Sequence, residues 1–192
     1  MTLTRRSFIA STLAAPLLAR PALAQSRPSI VTTTAMIGDA ARAIAGDLAD
    51  VTVLMGPGVD PHAYRQTRSD IVAMTRADLV LWNGLYLEAQ LEPFFETLEQ
   101  RVPLRAVAEA TPDDLLIRHA DYEGRADPHL WIVPELWQHA VTATRDALTD
   151  ILPEQADRLA ERSNAYLSEI AAVGAYARGL LDQVPQDQRV LV

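Results

Sequence analysis

Four consecutive apolar residues, Leu79-Val80-Leu81-Trp82, constrain the fold more than any other feature of this chain. A short run without polar alternation suits a strand buried on both faces. Such strands belong to parallel sheets covered by helices on each side. The surrounding pattern agrees. Residues 30–34 are β-branched and strand-like, and 35–45 carry Ile37, Ala41 and Ile44 at helical spacing before Gly46. Residues 51–55 form a second strand pattern, ended by Gly56-Pro57-Gly58. Thr67-Arg68-Ser69-Asp70 fits a capping pattern at the start of a helix that continues through Ile71 and Met74. Gly84 breaks the apolar strand, a helix is expected over 87–100, and 102–107 reads as a fourth strand. Strands separated by helical segments indicate βαβ units, so the expected class is α/β with a parallel sheet. Ligands of such sheets bind beyond the carboxyl ends of the strands.

The last third changes character. Pro134 suits a first helical turn, with a helix over 136–148. From Pro153 to about residue 184 the apolar spacing of 3–4 persists for about thirty residues, roughly 45 Å of helix. That is long enough to extend past one lobe. Arg189-Val190-Leu191-Val192 then reads as a new strand, and the chain stops inside it. The expectation is a fragment of a longer protein, or a truncated and non-functional remnant of one. The organisation expected is therefore an export signal over 1–24, an α/β lobe over 25–152, a long helix over 153–185, and over 186–192 the first strand of a second lobe that is otherwise missing.

The export signal rests on three linked features. Arg5 and Arg6 stand in a twin-arginine pattern, an apolar stretch over 9–18 is too short to span a bilayer, and Ala22-Leu23-Ala24 forms a small-x-small cleavage site. Cleavage near Ala24 places the mature chain in the periplasm. It also removes three arginines and no acid, taking the net charge from −8 to −11. An exported acidic protein is a poor partner for nucleic acid or anionic lipid. The chain has no cysteine, so any metal must be held by His, Asp, Glu or backbone oxygen.

The most specific feature is a repeated tripeptide. Asp60-Pro61-His62 follows the second strand, and Asp127-Pro128-His129 precedes the Pro134 helix. The chain holds only four histidines, and two share this context. Proline holds the preceding Asp extended, and neutral imidazole is the commonest metal ligand. Two histidines converging at one sheet edge would supply half of a four-ligand site. Asp60 and Asp127 are either acceptors that orient the imidazoles or turn residues chosen for Asx geometry. His119 reads as a surface-loop residue with a lesser prospect of auxiliary metal contact. His139, inside a helical pattern, reads as structural or solvated. No catalytic residue is assigned.

Several linked motifs resemble the periplasmic zinc/manganese solute-binding proteins of ABC transporters, the TroA-like or ZnuA-like family. Gly58-Val59-Asp60-Pro61-His62-Ala63-Tyr64 is similar to the family's G-x-[DE]-P-H-x-Y segment. Ala77-Asp78-Leu79-Val80, Asn83-Gly84-Leu85-Tyr86-Leu87-Glu88 and Asp127-Pro128-His129-Leu130-Trp131 resemble its A-D-L-V, N-G-x-x-L-E and D-P-H-x-W stretches, in the same order. The resemblance implies two α/β lobes joined by a long helix, with a metal ion held between them. It implies His62 and His129 as the first two ligands and two further ligands beyond residue 192. It also implies capture of a divalent ion, Zn2+ ahead of Mn2+, for delivery to a membrane permease by a monomeric, non-enzymatic receptor. Glu88 fits the N-G-x-x-L-E motif, but it equally suits the start of a helix. The competing reading is a secreted metal-dependent hydrolase, which needs an open coordination position and a carboxylate base. The chain has no H-E-x-x-H to supply one.

Overall fold

Alternate side chains of a buried strand must enter opposite cores, and the central strands of this chain do so. A computed structural model describes residues 27–118 and 124–189. Strands β1 (Ser29–Thr34), β2 (Asp50–Met55), β3 (Leu79–Trp82) and β4 (Leu104–Ala106) form one sheet in the order β2-β1-β3-β4, every neighbouring pair parallel. Ile30, Leu79 and Leu81 point into one core, and Val31 and Val80 into the other. The first core is closed by helices α1 (Ala35–Ala45), α4 (Pro134–Ile151) and α5 (Ala156–Leu181). The second is closed by α2 (Arg68–Thr75), which supplies Met74, and by α3 (Glu92–Leu98), which supplies Phe95 and Leu98. The α/β class with a parallel sheet is thus the fold. Each fully buried Leu or Ile contributes about 1.5–3 kcal/mol relative to leaving it in water.

Three segments differ from the expectation drawn from the sequence. The helix expected over 87–100 forms only as α3. Pro93 lies in the first turn of α3, where its missing N–H costs nothing; further into a helix its ring would clash with an earlier carbonyl. Upstream, Leu85 and Tyr86 have positive φ, which no right-handed helix admits. The helix expected over 153–185 forms α5 after a 3-10 turn at Pro153–Gln155, with Gln155 at φ −107° and ψ 9° as the N-cap of the α-helix. Near the C-terminus, Gln186–Gln188 form a 3-10 turn rather than strand. Pro185 opens that turn and accepts the Gln188 N–H at 2.9 Å, while Arg189 Nε donates to the Val184 carbonyl at 2.8 Å. The export signal over 1–24, His119 and residues 190–192 lie outside the described residues.

The long helix is tied to the lobe by its first half. Leu159 is fully buried, the Tyr166 phenol donates to Asp39 at 2.7 Å, and Arg162 donates to the Ala45 carbonyl at 2.5 Å and to Asp47 at 2.6 Å. Burial and the Asp39 acceptor push the Tyr166 phenol above its ordinary range. The second half leaves Val173, Tyr176, Leu180 and Leu181 exposed.

Helix α1 sits against the sheet through Gly38. A Cβ there would stand 2.3 Å from Val53 Cγ2 and 3.0 Å from Thr32 Oγ1. Both neighbours are β-branched and stiff. Overpacking of about 1–3 kcal/mol exceeds the roughly 1 kcal/mol that alanine gains in helix propensity. Gly38→Ala is therefore expected to lower the urea midpoint, equivalent to a net loss of up to about 2 kcal/mol.

Candidate metal centre

Both Asp-Pro-His motifs fold into the same turn. The His62 backbone N–H donates to Asp60 Oδ1 at 2.9 Å, and the His129 N–H donates to Asp127 Oδ1 at 2.9 Å. An aspartate bonded to the N–H two residues on makes an Asx turn, and the intervening proline holds that aspartate extended. Asp127 has a further contact. Its Oδ1 lies 2.7 Å from His129 Nδ1. A carboxylate can only accept, so Nδ1 carries the proton and Nε2 presents its lone pair outward. Asp60, in comparison, holds its histidine through the backbone N–H.

The two imidazoles meet. His62 Nε2 stands 3.2 Å from His129 Nε2, and the ring centroids are 5.3 Å apart. Two zinc–nitrogen bonds of about 2.0–2.1 Å at a tetrahedral angle span about 3.3 Å between nitrogens, so the pair fits two corners of one coordination sphere. The Trp131 and His129 rings pack in a T-shaped arrangement with centroids 5.2 Å apart. His62 is exposed and His129 partly so, which leaves the remaining corners open to solvent. Among the described residues no group of three or more His, Asp or Glu gathers around one point. The centre is therefore a pair. His139 lies in the middle of α4, partly buried, and contributes nothing to it.

Each imidazole arrives from a braced segment. His62 follows β2, and two residues later the Tyr64 phenol donates to Asp70 Oδ2 at 2.7 Å. Asp70 also accepts the backbone N–H and the hydroxyl of Thr67, at 2.6 and 2.8 Å, in the capping box of α2. Burial raises the Asp70 carboxyl, but the Thr67 N–H, the Tyr64 phenol and the Thr67 hydroxyl together hold it below its ordinary value. Burial and that carboxylate push the Tyr64 phenol up to about 12. The His129 segment is held from the end of β3. Asn83 Nδ2 donates to the Pro128 carbonyl at 3.2 Å and to the Gly84 carbonyl at 3.0 Å.

Sequence reasoning missed Asn83 as a participant and left Glu88 undecided. The structure puts Glu88 fully inside the fold, where its Oε1 accepts the Thr33 hydroxyl at 2.6 Å and the Asn83 N–H at 2.8 Å. Its Oε2 accepts the Gly84 N–H at 3.3 Å. Burial raises its carboxyl above the ordinary glutamate value, against the pull of these donors. It is not a helix-start residue. The available signal was the motif Asn83-Gly84-x-x-Leu87-Glu88 itself, because a glycine followed at short range by an acid suits a tight turn closed by a carboxylate.

Residues 30–192 match the family model described as the zinc-uptake complex component A, periplasmic. The chain belongs to that family. It is 36% identical over 175 residues to the zinc-binding protein TroA of Treponema pallidum, covering 90% of this chain and 56% of that protein. The solved structure of that periplasmic protein superposes with a TM-score of 0.83 over 86% of this chain and 59% of that one. It is 38% identical to the iron-binding protein YfeA of Yersinia pestis, covering 92% of this chain and 58% of that protein. It is 35% identical to the manganese-binding lipoprotein MntA of Bacillus subtilis, covering 88% and 55%. The chain thus spans little more than half the length of these relatives. Both Asp-Pro-His motifs lie within the segment matched to the zinc-uptake component.

The Asp127 contact yields a direct expectation. Nitrogen-15 shifts of the His129 ring should report a protonated Nδ1 and a bare Nε2. Asp127→Ala should move the ring toward the Nε2–H form, and an unchanged tautomer in that variant would contradict the assignment.

Proposed function

We propose that this chain supplies the first half of the ligand set of a periplasmic receptor, which captures a divalent transition-metal ion for import by an ABC transporter. The observation that carries this reading is the 3.2 Å separation of the His62 and His129 Nε2 atoms, reached by two loops with the same Asp-Pro-His turn. His62 and His129 are the proposed ligands. Asp127 fixes the His129 tautomer, and Asp60 shapes the turn. Two further ligands come from a second lobe, in this reading, with α5 as the connecting helix. The exposed apolar second half of α5 supports that role, since Val173 and Tyr176 are 63% and 69% exposed.

Zinc is the first reading and manganese the alternative: the nitrogen spacing fits a tetrahedral edge, and the cis edge of a six-coordinate ion spans nearly the same distance. The names of the relatives span zinc, manganese and iron, so kinship alone does not choose among them. The partner is a membrane permease, the location periplasmic and the working unit a monomer. The negative charge disfavours nucleic acid. A hydrolase would need a carboxylate free to activate water near the ion. The carboxylates beside the pair are committed instead. Asp60 and Asp127 accept from the histidines, and Glu88 is buried under its own donors. Binding without catalysis is the better account.

Calorimetric titration of zinc into the chain tests the proposal. A saturable site should appear, accompanied by a rise in melting temperature, because an ion bound only by the folded state stabilises it. His62→Ala and His129→Ala should each weaken binding at least about ten-fold without loss of fold. Wild-type affinity in both folded variants would remove the pair from the site.

A further inference from the structure

The turn after β3 is conformationally costly. Gly84, Leu85 and Tyr86 all have positive φ, at 79°, 53° and 68°. A non-glycine residue there costs about 1–2 kcal/mol, and two follow in succession. Gly84 is the one position of the three that requires glycine for space as well. A Cβ would stand 2.8 Å from Glu109 Oε1 and 2.9 Å from Ala106 Cβ. Such a turn persists only where its surroundings over-determine it. Here the buried Glu88 carboxylate collects the N–H groups of Asn83 and Gly84 and the Thr33 hydroxyl from β1.

The consequence of this arrangement is where Asn83 ends up. Its side chain is almost fully buried and directs its amide N–H to the Pro128 carbonyl. Pro128 joins Asp127 to His129, so this bond holds the backbone of the turn that aims the imidazole. Asn83 Oδ1 has no partner among the described contacts. The side chain therefore serves as a donor into the His129 turn, at the cost of an unsatisfied acceptor.

We propose that Glu88 and Asn83 are positioning residues for His129. Glu88 locks the left-handed turn, the turn presents Asn83, and Asn83 clamps the Pro128 carbonyl so that His129 Nε2 lies against His62 Nε2. Neither residue touches the ion. This rests on the reading of His129 as a ligand, but the positional part can be measured without metal.

The test is NMR of the metal-free chain, reading the cross-relaxation peaks between the His62 and His129 ring protons, followed by zinc titration. Asn83→Ala is expected to keep the fold, judged by the backbone spectrum, to lose most of the inter-ring peak intensity, and to weaken zinc binding about ten-fold or more. Glu88→Gln keeps the size and one acceptor oxygen but turns an amide donor toward existing donors. It should show the same two changes in smaller measure, and it stands in if Asn83→Ala does not fold. Inter-ring peaks and zinc affinity both unchanged in a folded variant would overturn the proposal. If instead His129→Ala leaves zinc affinity unchanged, the ligand reading fails, while loss of the inter-ring peaks in Asn83→Ala still establishes the positioning.

Discussion

One buried carboxylate joins the carboxyl ends of the two central strands, and the geometry of the candidate centre depends on it. Glu88 accepts from Thr33 at the end of β1 and from Asn83 and Gly84 just past β3. In the order β2-β1-β3-β4, this is where the chain switches from one side of β1 to the other. Open α/β sheets bind ligands in the crevice at such a switch point. Here the backbone N–H groups that could cradle an outside anion are satisfied by the chain's own side chain. Those two N–H groups are taken by Glu88, and the loops above bring two imidazoles together.

Those loops succeed by repetition of a simple device. An aspartate, a proline and a histidine suffice to fix a turn, since the proline restricts the aspartate and the aspartate captures the histidine N–H. The two copies differ in how far the aspartate reaches. Asp127 also binds Nδ1, so the His129 ring is set in both orientation and tautomer. His62 is held through its backbone and through the Tyr64 anchor on the α2 cap. The more buried ring thus has its tautomer fixed, and the exposed ring is held at the level of its loop.

Much of this was legible in the sequence, for physical reasons specific to each part. The strand at Leu79–Trp82 and the helix at Ala35–Ala45 follow from apolar patterning that is local and strong, and both occur as expected. The capping residues Thr67 and Asp70 announce their own contact. The segment after Gly84 did not follow the pattern. Leu87, Leu91, Phe95 and Leu98 are all buried and suggest one continuous helix, yet Glu88 is bonded to Thr33 on a strand distant in sequence, and Leu85 and Tyr86 just before it have positive φ. Periodicity records which side chains face inward, not the route by which they arrive there. For the same reason the Asp-Pro-His repeat nominated His62 and His129, while Asn83, whose effect runs through another residue's backbone, went unnoticed.

In the proposed receptor His62 and His129 share one ion through their Nε2 atoms. Diffraction from zinc-soaked crystals of the chain, recorded at the zinc absorption edge, tests it most directly. One anomalous peak is expected about 2.0–2.1 Å from both Nε2 atoms. A peak bound to only one of the rings, one reached through His129 Nδ1, or none at this rim under saturating zinc would contradict it.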